Sequence, residues 1–104
     1  DKYYHKMISA IDSQISSEQD WQLFQENFDR IHGNFFQILK SRYPSLTSSD
    51  LRFCSYLCMN LSSKEIASMM NISLKGVEAA RYRIRKKIGL PSDVSLSAFL
   101  MELK

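Results

Sequence analysis

Residues 62–89 read SSKEIASMMNISLKGVEAARYRIRKKIG, two helical patterns separated by three residues. Ser62 with Glu65 three positions later is a capping box, in which each side chain satisfies the other's backbone N–H. It predicts a short helix over about Ser63–Met70. Asn71-Ile72 suits a tight turn, and Ser73 caps a second helix running from Leu74 to about Ile88. Gly89 fits the left-handed position just past that helix. With Val77 set as origin and about 100° per residue, Ala80, Ile84 and Ile88 gather into one buried stripe. Lys75, Glu78, Ala79, Tyr82, Arg83 and Lys86 fall on the opposite side. Arg81, Arg85 and Lys87 lie on the flanks.

A short helix braced across a basic one is the helix-turn-helix layout. Ile66, Ala67, Met69 and Met70 are the bracing residues, with Ala67 small enough for close approach and Ile72 expected to plug the corner. The outer face of the second helix then fits a B-DNA major groove. Its first half is expected to reach base edges, and its later cations phosphates. Charge agrees with this. Residues 1–46 carry five basic and six acidic side chains, residues 47–104 nine and five. Leu74–Lys87 alone holds six cations against Glu78. Positive charge focused on one helix points to a polyanion partner, whereas a solvated basic face is the ordinary alternative.

Working outward, Thr47 with Asp50 caps a helix expected through about Asn60, with Leu51, Cys54, Leu57 and Cys58 facing inward. After Pro91, Ser95 caps a last helix carrying Leu96, Phe99, Leu100 and Leu103. Toward the N-terminus, Met7, Ile8, Ile11 and Ile15 predict a short helix over about Lys2–Ser16. Ser17 with Asp20 starts another, in which Trp21, Phe24, Phe28, Ile31, Phe35, Ile38 and Leu39 recur at helical spacing. It is expected to run unbroken to about Arg42, with Gly33 a weak spot, and to end before Pro44. The chain is therefore expected to be all-α. A four-helix unit occupies 45–104, and one short and one long helix in 1–44 form a connector for packing or dimerisation.

Several function classes are disfavoured. No apolar run approaches the ~20 residues that span a bilayer. Cys54 and Cys58, four apart on one helix, lack the further ligands a metal site requires and read as reduced core thiols. His32 beside the aromatic stripe reads as a structural residue, and the stripe itself as a packing face rather than a cofactor pocket. There is no phosphate-binding glycine loop and no nucleophile–base pair, so no enzyme, cofactor or metal is expected. The chain starts at Asp1 without Met or leader, and is read as a piece of a longer protein.

The spaced run Leu46-Thr47-Ser48-Ser49-Asp50, Asn60-Leu61-Ser62-Ser63-Lys64-Glu65-Ile66-Ala67, Ile72-Ser73, Val77 and Ile84-Arg85-Lys86-Lys87-Ile88-Gly89-Leu90 closely resembles the LuxR/FixJ-type helix-turn-helix output domain. The resemblance covers roughly residues 45 to 103. It implies duplex DNA as partner, a homodimer in the full-length protein, possible contact with RNA polymerase, and a cytoplasmic location. It places base contacts on Glu78, Ala79 and Tyr82. It places phosphate contacts on Lys64, Ser73, Lys75, Arg83, Lys86 and Lys87, with Arg81 and Arg85 as further candidates. Ser73 would act doubly, since the helix end it caps offers free N–H groups to a phosphate. The front segment, with Asp20-Trp21, Phe24, Phe28, Ile31-His32, Phe35-Phe36, Leu39 and Tyr43-Pro44, more loosely resembles the helical segment before this domain in large Bacteroidetes-type regulators, some anchored in a membrane upstream.

Three positions depart from the family pattern: Gly76 where Thr is usual, Glu78 where a Lys or Arg-like residue is usual, and Ala80 where His is frequent. Gly76 either weakens the helix, by up to about 1 kcal/mol against Ala, or lets backbone lie close to a phosphate. Glu78 either accepts a hydrogen bond from cytosine N4 or pairs with Tyr82 or Arg81. A rival reading is a protein-interaction module like sigma-factor region four, with the aromatic stripe as its sticky surface.

Overall fold

The computed structural model describes residues 18–103, so the expected first helix and the Ser17–Asp20 cap lie outside the described residues. Six helices follow: α1 Glu18–His32, α2 Phe35–Arg42, α3 Ser48–Cys58, α4 Ser63–Met70, α5 Leu74–Ile88 and α6 Leu96–Met101. There is no strand among the described residues, as the all-α reading expected.

Within the described residues, the caps predicted at Thr47, Ser62, Ser73 and Ser95 are formed. Thr47 Oγ1 accepts from Asp50 N at 3.1 Å, and Asp50 Oδ2 accepts from Thr47 N at 3.0 Å. Ser62 and Glu65 make the same reciprocal pair at 3.1 and 2.9 Å. Ser73 Oγ accepts from Gly76 N at 3.0 Å, and Ser95 Oγ from Ala98 N at 3.2 Å. These bonds satisfy N–H groups that a helix start leaves without a partner. At the other ends, Asn71 (φ 56°) closes α4 and Gly89 (φ 79°) closes α5 in the left-handed region.

The front of the chain departs from expectation. The single helix foreseen from Ser17 to about Arg42 is two, α1 and α2, broken at Gly33 and Asn34. Both residues are left-handed, at φ 67° and 65°, a conformation that ends a right-handed helix. Asn34 N donates back to Asp29 O at 2.9 Å. The Asp29 carboxylate then accepts from Phe36 N at 2.7 Å and so starts α2. The break changes which residues face inward: Ile31, counted in the stripe, is 57% exposed, whereas Phe36 is buried.

The aromatic side chains are covered by the fold itself. Trp21 stacks on Phe24 with centroids 5.2 Å apart and meets Phe36 edge-on at 5.8 Å. Phe28 contacts Phe24, Phe35 and Phe36. Arg52 of α3 lies over the Trp21 ring at 5.5 Å. His32 stacks on Phe28 at 4.2 Å, and burial lowers its pKa. Since Trp21, Phe24, Phe28, Phe35 and Phe36 are all buried, the stripe is packing and not the docking surface of the rival reading.

One hydrophobic cluster runs from Trp21 through α3 to Leu103, with α3 at its centre. Leu51, Phe53, Cys54, Tyr56 and Leu57 are buried, and Cys58 is half-buried against the same cluster. Burial, with smaller contributions from the charges of Asp50 and Cys58, pushes the Cys54 thiol up to about 12. Burial pushes Cys58 up to about 11. Both are held as unreactive thiols rather than nucleophilic thiolates.

Candidate nucleic-acid interface

The geometry of α5 follows from what it buries. Val77 and Ile84 are fully inaccessible, and Ala80 is 6% exposed. Ile88 is half-buried against the same cluster. On the α4 side Ile66 is buried and Ala67, Met69 and Met70 are partly buried, which sets the crossing of the two helices. Ile72 was expected to plug the corner, but it remains 38% exposed. It lies instead against the α5 start, where a Cβ on Gly76 would come within 3.3 Å of Ile72 Cβ and 3.4 Å of Ser73 Oγ. Gly76 thus makes room for the turn residue.

The opposite side of α5 is open among the described residues. Lys75, Glu78, Ala79, Tyr82, Arg83 and Lys86 are all exposed, the set foreseen from the helical wheel. At 15 residues α5 is about 22 Å long, enough to cross a groove about 12 Å wide. Tyr82 is 62% exposed, and the Lys86 ammonium sits 4.8 Å from its ring centroid. Glu78 pairs with neither Tyr82 nor Arg81; no hydrogen bond or ion pair holds it among the described residues. Lys64, on α4, and Ser73, at the α5 cap, are exposed beside this face.

Arg83, on the open face, and the flanking cations Arg81, Arg85 and Lys87 have internal partners that local sequence reasoning missed. Asp50, in the first turn of α3 and 1% exposed, faces α5. Its Oδ1 accepts from Arg83 at 3.1 Å and its Oδ2 from Lys87 at 2.7 Å. Burial alone would raise the Asp50 pKa. The Lys87 ammonium, the Thr47 backbone and side chain and the Arg83 guanidinium together outweigh it and hold the carboxyl below its usual range. Arg81 donates to Ser63 Oγ at 3.1 Å, tying α5 to the start of α4. Arg85 donates to the carbonyls of Val94 and Pro91, both at 2.6 Å, and clamps the loop before α6. Asp50 lies 33 residues before Arg83 and 37 before Lys87, so no local pattern could have paired them. Arg83 still has a half-exposed side chain, and Lys87 a quarter-exposed one.

Residues 44–100, which contain α3, α4, α5 and most of α6, match the bacterial regulatory proteins of the luxR family. The chain belongs to the LuxR family. Its matched segment is a helix-turn-helix domain of the DNA-binding, transcription-regulating type. Over 57 residues it is 40% identical to the transcriptional regulatory protein TdiR of Thauera aromatica, covering 55% of this chain and 25% of that protein. No solved structure matches significantly. Within this LuxR-family domain α4 and α5 are the helix pair, and the side of α5 turned away from the core is exposed. No described helix is long and apolar enough to cross a membrane.

Proposed function

We propose that this chain is the sequence-reading output domain of a signal-responsive transcription regulator, and that α5 reads duplex DNA from the major groove. The observation that carries the proposal is the exposed face of α5, packed down by Val77, Ala80 and Ile84 on its other side, in a LuxR-family member. Glu78, Ala79 and Tyr82 face the base edges. Lys75, Lys86 and the capped helix start at Ser73 hold phosphates. Lys64 approaches the backbone from α4. Arg81, Arg83 and Lys87 contribute from fixed positions, with their carboxylate and hydroxyl partners limiting their reach. Arg85, committed to the α6 loop, ranks last among the cations. The domain acts by binding, in the cytoplasm where the duplex is, and two copies place their α5 helices about one DNA turn, roughly 34 Å, apart.

Selection of bound sites from random duplexes, repeated at two salt concentrations, tests this. Expected are enriched half-sites about 10 base pairs apart, and affinity falling with salt at a log–log slope of roughly −0.9 per phosphate contacted. Absence of duplex binding at low salt, in both monomeric and dimeric preparations, overturns it.

A further inference from the structure

Glu78 is the one carboxylate on α5, and it stands on the face open to solvent. Five of the six cations of this helix have partners other than Glu78. Arg81 is on Ser63, Arg83 and Lys87 are on Asp50, Arg85 is on the α6 loop, and Lys86 lies over Tyr82. Lys75, one turn before Glu78, is exposed and makes no such bond among the described residues. A bare carboxylate brought against a polyanion loses hydration and gains repulsion. It is tolerated there only if the groove offers it a donor. On the major-groove edge the strong donors are exocyclic amino groups, cytosine N4 and adenine N6, whereas guanine O6/N7 and thymine O4 present acceptors that repel a carboxylate.

We infer that Glu78 makes this domain select, at one position of each half-site, a base presenting an exocyclic amino group in the major groove. The inference rests on the DNA reading above. Glu78 accepts the amino hydrogen and excludes guanine and thymine on the contacted strand. Tyr82, one turn further along the same face, lies beside it with its ring under Lys86, so the neighbouring base is read by a contact of different chemistry.

The test measures binding of the full chain to the selected duplex and to single-position replacements, for wild type, Glu78→Gln and Glu78→Lys. Every base pair offers one such group, cytosine N4 or adenine N6, so the contacted position is the one whose preference changes in Glu78→Gln and Glu78→Lys, and its amino-bearing base in the wild-type site defines the contacted strand. Guanine or thymine there should weaken binding about 5- to 150-fold, the range of about 1–3 kcal/mol for a good base contact. Glu78→Gln should favour adenine at that position and Glu78→Lys guanine, each leaving the other positions unchanged. Identical base preferences for all three proteins overturn the inference while leaving DNA binding intact. Failure of wild type to bind any duplex overturns the DNA reading and this inference with it.

Discussion

Asp50 does three things with one carboxylate: it completes the α3 capping box and anchors two cations of the reading helix. Asp50→Ala removes a cap worth about 1 kcal/mol and leaves Arg83 and Lys87 without their partner. Both cations retain access to water, so a total loss of about 2–3 kcal/mol is expected, less than for a fully enclosed pair. Asp50→Asn keeps an acceptor for the Thr47 N–H and should cost about half as much. Urea unfolding at pH 7 measures both. The pH dependence follows from the lowered carboxyl pKa. The stabilisation is complete above the unfolded value of about 4 and is lost as pH falls through the folded one. Asp50→Asn should therefore narrow the stability gap between pH 6 and pH 3; an equal gap in both proteins would contradict it. Among the cations, Lys75→Ala and Lys86→Ala should each flatten the salt slope of duplex binding by about one unit. Arg83→Ala should flatten it by no more than that. Arg85→Ala should lower stability and leave the slope unchanged, because its donors already serve Pro91 and Val94.

At the scale of elements, the helix starts were legible because a cap is local: Thr47, Ser62, Ser73 and Ser95 each meet an N–H three residues away. The open face of α5 was legible for the same reason, as a consequence of helical pitch. The break after α1 was not. Gly33 alone is tolerated inside a helix, and what ends this one is a second left-handed residue, Asn34, with the Asp29 carboxylate capping Phe36 from seven positions back. Gly33→Ala should cost about 1–2 kcal/mol. A Cβ there meets nothing within 4 Å, so the penalty is conformational and Gly33→Asn should recover part of it. Gly76→Ala poses the opposite balance. Helix propensity favours Ala by about 1 kcal/mol, against a 3.3 Å approach to Ile72 Cβ. The Ile72 Cβ moves only with the turn backbone, whose N–H is bonded to Ala67 O at 3.0 Å, so the close approach offsets the propensity gain and a change within about 0.5 kcal/mol of zero is expected in thermal unfolding.

At the scale of the whole molecule, the α1–α2 hairpin and the helix-turn-helix share one cluster, joined where Trp21 and Phe36 meet α3 and Arg52. Trp21 is the sole tryptophan of the chain, 7% exposed and seated in that seam. The indole is thus a built-in optical gauge of hairpin docking. Its emission should be blue-shifted in the native chain and should redden once the hairpin lifts away from α3. Duplex engaged at Tyr82, on the open face of α5, would quench tyrosine light and leave the indole band in place. Two colours from one cuvette would then tell whether occupancy of the reading helix loosens the front of the chain.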